Sequence, residues 1–284
     1  AGSGIWSSRV VFAMEASVGA PPDALGPQGQ NWGLPPMVPS RLTDAAYAPF
    51  VEILRQTMRH AGALRIDHVM GLMRLFWIPP GKTPAEGAYV RYPLDDLLGI
   101  VALESQRNRC LVIGEDLGTV PDEVRQALAP AGVLSYRVLY FEREGDSFKR
   151  PDQYPQQALV TVSTHDLPTL AGFWSGEDLR VRDELSLYPS DEVRQEFYRN
   201  RDTDRVQLLR ALADQGLLPD GASPDPADWP EMTRQLARAV CLYLARPPPQ
   251  AMARQPEDVL GQLRQADLPA TTHRQPDWPR LPPT

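Results

Sequence analysis

The stretch Ala63-Leu64-Arg65-Ile66-Asp67-His68 governs the reading of the whole chain, because it is the first of three of one design. A short run of strand character ends on a carboxylate, and the pattern returns in Leu111-Val112-Ile113-Gly114-Glu115-Asp116-Leu117-Gly118 and in Leu159-Val160-Thr161-Val162-Ser163-Thr164-His165-Asp166. Helical periodicity occupies the intervals, and strand–helix alternation of this kind implies a parallel sheet. In a parallel βα barrel the C-terminal strand ends converge on one open face, where the chemistry sits. Three acids from three such ends suit bond cleavage at a sugar's anomeric carbon, one carboxylate serving as nucleophile and another as proton donor. The plainer alternative is that each acid caps a strand–loop junction. It accounts for any one of them better than for all three, since His68 and His165 adjoin two and the chain has only four histidines.

Outward from these strands, residues 16–40 read as a long Gly/Pro-rich loop, and a loop of that length is usually functional or disordered. It carries Gln28, Gln30, Asn31 and Trp32, the tryptophan reading equally as a sugar-facing platform or as a packing residue. A helix with Phe50, Ile53, Leu54 and Met58 on its apolar face is expected after a cap at Thr43 or Asp44, with Gly62 to end it. Leu94, Leu97, Leu98 and Val101 mark a second helix, after a loop over 77–93. Beyond the strand 110–115 come a helix from Pro121, a strand over 133–141 and the strand 158–164. A polar helical region spans about 175–230, with one clear helix around Asp202–Gln215. Met232, Leu236, Val240 and Tyr243 keep helical spacing; a weak strand at 250–254 and a helix from Pro256 to about Gln265 close the pattern. No internal repeat and no linker between two domains is visible.

The bulk properties exclude several classes. Of 284 residues, 42% are hydrophobic and 23% charged, ordinary for a soluble globular protein. A net charge of −7 argues against nucleic acid or an anionic membrane surface as partner. No apolar stretch approaches the ~20 residues that span a bilayer, and no secretory signal is visible at the N-terminus, which lacks an initiator Met. Cys110 and Cys241 are too few for a disulfide framework and read as buried small hydrophobes, which fits a cytoplasmic enzyme. Zinc spacing, a glycine-rich phosphate loop and a Gly-x-Ser-x-Gly elbow are all absent, which leaves carboxylate chemistry as the strongest candidate, and an enzyme of that kind would need neither a metal nor an organic cofactor. The 30 prolines, often paired, fall between the periodic segments and mark stiff, shaped loops.

Alternation along a strand puts Arg65 and Asp67 on one face and Leu64 and Ile66 on the other. A guanidinium beside Asp67 should hold that carboxylate ionised and oriented, the two properties a nucleophile needs, although a plain structural ion pair has the same appearance. Within Gly114-Glu115-Asp116-Leu117-Gly118 the two acids fall on opposite faces; Glu115 is read inward as a partly desolvated general acid, Asp116 outward in a hydrogen-bonding role. Asp166, with His165 beside it, suits the grip of vicinal sugar hydroxyls on a distorted ring.

These residues carry a resemblance to the 4-α-glucanotransferases called amylomaltases or disproportionating enzymes, allied to the α-amylases. The matching strings are ASVGAPPDALGPQGQNWGLPP (16–36), ALRIDHVMGLMRLFWIPPG (63–81), GAYVRYPLDDLL (87–98), VIGEDLGTVP (112–121) and THDLPTL (164–170). The resemblance implies an α/β fold, a partial TIM (β/α)8 barrel with helical insertions. The chain would be the C-terminal part of one catalytic domain, about the last five βα units, with a substrate-binding loop at 16–40. It implies transfer of an α-1,4-glucan segment to the 4-hydroxyl of an acceptor by retaining double displacement. By motif position Asp67 would be the nucleophile, Glu115 the acid/base and Asp166 the third acid, with Arg65, His68 and His165 around the same sugar. Asp23, Gln30 and Trp32 fall in the family's glycan-contacting loop. Maltooligosaccharides are the implied substrates, and the N-terminal part of the same enzyme is an implied partner. Two departures stand out. The first three barrel strands are missing, and Asp267-Leu268-Pro269-Ala270-Thr271 replaces a usual Asn-Leu/Ile-Pro-Gly-Thr. An inactive fragment that binds maltooligosaccharide, or an α-glucan hydrolase, are the rival readings.

Overall fold

The computed structural model describes residues 9–22, 28–118, 120–246 and 248–266. The chain divides into two compact units, Ala1–Ser135 and Tyr136–Thr284.

In the first unit, β1 (Ser17–Ala20) pairs antiparallel with β2 (Gln30–Asn31) through Gly19↔Asn31 and Ala20↔Gln30. The stretch 16–40, expected as loop throughout, is therefore partly sheet. The cause is local. A Cβ on Gly19 would stand 2.0 Å from the Gln30 carbonyl oxygen, so the two backbones meet only because position 19 is glycine. Helix α1 (Pro39–Asp44) begins on a proline, whose fixed φ suits a first turn, and α2 (Ala48–Met58) follows. Thr43 and Asp44, expected to cap α2, lie inside α1 instead, and Tyr47 makes the junction in the left-handed region at φ 58°. The second helix ends at Met58, ahead of Gly62, and buries Leu54 and Met58 while Ile53 stays exposed.

β3 (Ala63–Ile66) is followed by β4 (Arg74–Ile78) and β5 (Ala88–Arg91), an antiparallel pair that extends β1 into a sheet of order β2-β1-β4-β5. The loop expected over 77–93 thus contains β5 and the end of β4. Helix α3 (Leu94–Asn108) presents Leu97, Leu98 and Val101 to the core, as its spacing predicts. After it come β6 (Leu111–Gly114), α4 (Asp122–Leu128) and β7 (Leu134–Val138), the last stopping three residues short of its expected end where Leu139–Phe141 turns as a 3-10 helix. β3 and β6 pair in parallel, Arg65↔Ile113 and Ile66↔Gly114, and β6 pairs in parallel with the first residues of β7, Ile113↔Leu134 and Gly114↔Ser135. Leu42, Met58, Val69, Val101, Val112, Val124 and Leu128 share one buried cluster under these elements.

In the second unit a short hairpin, β8 (Arg143–Glu144) and β9 (Ser147–Phe148), precedes β10 (Ala158–Thr161). Helices α5 (Leu170–Ser175), α6 (Glu177–Glu184), α7 (Asp191–Asp214) and α8 (Arg234–Leu244) lead to β11 (Ala251–Met252) and α9 (Pro256–Leu260). β10 lies between β7 and β11 in strand order and pairs in parallel with β11. Its ladder ends at Thr161 rather than 164. α7 starts well before Asp202, because the Ser190 side chain caps it by accepting the Val193 N–H. Its early turns are polar and are tied back by ion pairs, the half-buried Arg201 guanidinium clasping Asp178 at 2.7 and 2.8 Å. Only its last turns bury Leu208, Leu209 and Leu212, which meet the apolar stripe Leu236, Val240 and Tyr243 of α8 in the unit's core. α9 stops at Leu260, short of Gln265, where Gly261 takes φ 67°. Among the described residues no helix is long and apolar enough to cross a membrane.

Two consequences can be measured. Glu104 on α3 is 1% exposed and receives Arg55 and Arg107, each at 2.9 Å. The Arg55 hydrogen bond, ahead of the opposing effect of burial, lowers its carboxyl from 4.5 to about 2. A carboxyl lowered on folding stabilises the fold above its unfolded pKa and loses that contribution as pH falls through the folded one. Urea unfolding should therefore show a steeper loss of stability between pH 4.5 and about 2 in the native protein than in Glu104→Gln; parallel curves would refute it. Separately, Gly19→Ala should cost roughly 1–3 kcal/mol in the same measurement, since backbone atoms must part to admit the methyl. An unchanged midpoint would mean that β1 and β2 contribute little.

Candidate active site

The first unit gathers Arg65, Asp67, His68 and Glu115 at the ends of β3 and β6, and Gln30 and Trp32 at β2. Register sets the first group: β3 and β6 run parallel, so Ile66 pairs with Gly114 and both chains leave the sheet at one level. The crossing is closed by backbone, Glu115 N–H donating to the Ile66 carbonyl and Val69 N–H to the Glu115 carbonyl, each at 2.9 Å. Arg65 and Asp67 share a strand face, as alternation requires, and meet through Nη2 and Oδ1 at 2.6 Å; the Asp67 carboxyl is 75% exposed.

Immediately after Asp67 the chain turns on His68, a non-glycine residue at φ 47°, ψ 57°. An L-residue pays for that left-handed conformation, and here the turn aims the His68 N–H at Glu115 Oε2, 2.8 Å away. The other carboxyl oxygen, Oε1, accepts the Leu117 N–H at 2.8 Å. Burial pushes the Glu115 carboxyl above the ordinary carboxylate range, the two N–H donors pull against it, nearby Asp67 adds to the rise and Arg65 opposes it. His68 is held low by burial against the raising influence of Asp67, so its imidazole is disposed to be neutral. The Trp32 indole meets the His68 ring edge-on with centroids 5.2 Å apart, and Trp32 Nε1 donates to Gln30 Oε1 at 3.0 Å. Trp32 remains 37% exposed and is thus an accessible aromatic surface.

Asp116 is buried, with Arg125 of α4 donating to its Oδ2 at 3.4 Å and to its carbonyl at 3.2 Å. The hydrogen-bonding role expected of it fits, and its surroundings are core rather than solvent. Gly114 has a packing reason as well: a Cβ there would sit 2.9 Å from a Val69 methyl.

In the second unit, His165 and Asp166 lie on the loop between β10 and α5. His165 is exposed and Asp166 half-buried, its Oδ1 held by the Thr164 hydroxyl. Asp23, also expected to contact glycan, lies outside the described residues, as do Asp267 to Thr271. Among the described residues no group of three or more His, Cys, Asp or Glu side chains is placed to hold a metal ion. The reading from sequence missed the Leu117 N–H, the Arg125 clamp and the Thr164 tether. Backbone donors leave no mark in side-chain identity, and Arg125 is legible only once α4 is known to start at Asp122.

Against this geometry the comparisons are specific. The sequence profile of the 4-alpha-glucanotransferase family matches residues 1–282. The 4-alpha-glucanotransferase of Haemophilus influenzae is 45% identical over 274 residues, covering 96% of this chain and 39% of that protein. That of Mycobacterium tuberculosis is 40% identical over 286 residues, 99% of this chain and 38% of the other. Among solved structures, amylomaltase from Corynebacterium glutamicum superposes with a TM-score of 0.87 at 34% identity, over 97% of this chain and 40% of that one. Amylomaltase from Streptococcus agalactiae in complex with acarbose gives 0.66 at 16% identity, over 93% and 48%, a likeness of fold alone. The chain spans about two-fifths of the length of the curated relatives it matches. With its α/β architecture and a profile match running almost from end to end, the chain belongs to the 4-alpha-glucanotransferase family.

Proposed function

We propose that the protein transfers α-1,4-glucan segments from a donor to the 4-hydroxyl of an acceptor glucan or glucose by a retaining double displacement. The observation that carries this is the pairing of an exposed, arginine-held carboxylate, Asp67, with a desolvated carboxyl, Glu115, on adjacent strand ends. Those are the two environments that a nucleophile and a proton donor need. Asp67 attacks the anomeric carbon while Glu115 gives its proton to the departing glucosidic oxygen, leaving a covalent glycosyl-enzyme. Glu115, now ionised, takes the proton of the incoming 4-hydroxyl as that oxygen displaces Asp67. Asp166 grips the ring hydroxyls, His68 and His165 hydrogen-bond the sugar, Arg65 orients Asp67, and Gln30, Trp32 and Asp23 contact the glucan chain. Residues 16–40 act as the substrate-binding segment of one catalytic domain in which 175–230 is a helical insertion. Starch- or glycogen-derived maltooligosaccharides are the substrate class, and the unpaired Cys110 and Cys241 suit the cytoplasm.

Two measurements test this on the full-length protein that carries the chain. Incubated with maltotriose, it should yield glucose together with longer maltooligosaccharides while total reducing ends stay constant. Asp67→Asn should cut that turnover by at least about 10³-fold without loss of folding. A rise in reducing ends would mean hydrolysis, and retained turnover in the variant would remove Asp67 as nucleophile. Because Glu115 must be protonated to act as acid, and burial raises its titration, kcat/KM should fall on the alkaline side through a pKa above the usual 4.5. A limb at or below that value would contradict the assignment.

A further inference from the structure

We propose that segment 256–265 is a latch that positions Asp166, with Asp258 and Gln265 as its positioning residues; this rests on reading Asp166 as the third acid. The loop from Val162 to Thr169 is braced within itself by Ser163 Oγ donating to the Pro168 carbonyl at 2.7 Å, and from outside by Tyr140 Oη donating to the same carbonyl at 3.3 Å. A further set of fastenings comes from one short stretch nearly a hundred residues later. Asp258 Oδ1 accepts the Leu170 N–H at 2.6 Å. Thr169 Oγ1 donates to the Gln262 carbonyl at 2.6 Å, and Gln265 Nε2 donates to the backbone carbonyl of Asp166 itself at 3.1 Å. Gly172 completes the clasp, because a Cβ there would stand 2.2 Å from the Leu263 carbonyl oxygen. Four anchor points between Asp166 and Gly172 are thus met by four residues of one segment.

The chemistry of Asp258 separates positioning from mere stability. It is 7% exposed, burial pushes its carboxyl up, and its second oxygen, Oδ2, is buried with no hydrogen-bond partner. A half-satisfied buried carboxyl is destabilising, and an apolar residue would serve packing better. What an apolar residue cannot do is accept the Leu170 N–H and so set where α5 begins and where the loop before it must stand. Misplacing a reacting or gripping group by about 1 Å costs on the order of 10²-fold.

The test uses the full-length protein with maltotriose as substrate. Asp258→Ala should lower kcat by about tenfold or more with KM within about twofold, whereas Asp258→Asn, which keeps the acceptor, should stay within about threefold of the native enzyme. Gln265→Ala removes one tether without opening the core; it should lower kcat severalfold at an unchanged melting midpoint. The latch is overturned if Gln265→Ala and Asp258→Ala keep native kcat, if the Ala and Asn variants at 258 lose activity alike, or if every loss follows the unfolded fraction by circular dichroism. Asp166→Asn, run alongside, separates the two levels. Retained turnover in it would overturn the role of Asp166, while its loss beside full activity in Asp258→Ala and Gln265→Ala would overturn the latch alone.

Discussion

Two backbone N–H groups hold the Glu115 carboxyl, and the first unit's site is arranged around that pair of bonds. One donor, His68, is aimed by a left-handed residue just past β3; the other, Leu117, lies two residues beyond Glu115 itself. Each carboxyl oxygen has two lone-pair directions, and on each oxygen one is already taken by backbone. A proton on Glu115 therefore occupies a direction away from the strands. The same bonds that pull its titration down also fix where its proton can be delivered, and burial then restores the affinity for that proton. Orientation and acidity are thus coupled through these two bonds, with burial supplying the opposing contribution to acidity.

The parallel part of the fold was legible because it obeys periodicity. Ala63–Ile66, Leu111–Gly114 and Ala158–Thr161 are strands where apolar runs meet a polar stop, and α3 and α8 keep their leucines and valines in step. The antiparallel sheet was not legible for an equally physical reason. β1 and β2 have only four and two residues, and what joins them is the missing side chain of Gly19 rather than any alternation. Cap positions failed similarly: Thr43 and Asp44 have the right chemistry for a helix start, but Pro39 opens a helix first and consumes them. Of the site, the side chains could be named from sequence and their supports could not, since Leu117 acts through its amide and Asp258 from far along the chain.

The two units hold their acids by different means. Glu115 is fastened locally, by amides one strand and two residues away, so its placement follows from β3–β6 register and the tight turns at His68 and Leu117. Asp166 sits beyond a ladder that has already ended at Thr161, on a loop where the buried Ser163 and Thr164 side chains bond to neighbouring loop atoms and the Ser163 carbonyl accepts the Thr161 hydroxyl. Without a ladder, the loop relies on Thr169, Gly172 and the segment beyond β11. Register errors are costly because they flip every side chain, whereas loop tethers can be lost one at a time. The Glu115 arrangement is accordingly all-or-none, and that of Asp166 is gradable.

That difference bears on transfer as against hydrolysis. In this chain, which spans about two-fifths of its relatives' length, the Asp67 carboxylate is exposed even while Arg65 holds it, and in the proposed reaction it is the group that carries the glycosyl unit. In the proposed reaction, selectivity for a sugar acceptor depends on how well the bound acceptor excludes water from that carboxylate. Trp32 offers an exposed aromatic face whose edge contact with His68 ties it to the turn next to Asp67. A sugar stacked on such a face covers apolar surface and brings its hydroxyls alongside a neutral imidazole, which water cannot match on the first count. In the proposed reaction, an acceptor bound there would exclude water from around Glu115 as it takes the 4-hydroxyl proton, coupling acceptor binding to the second displacement.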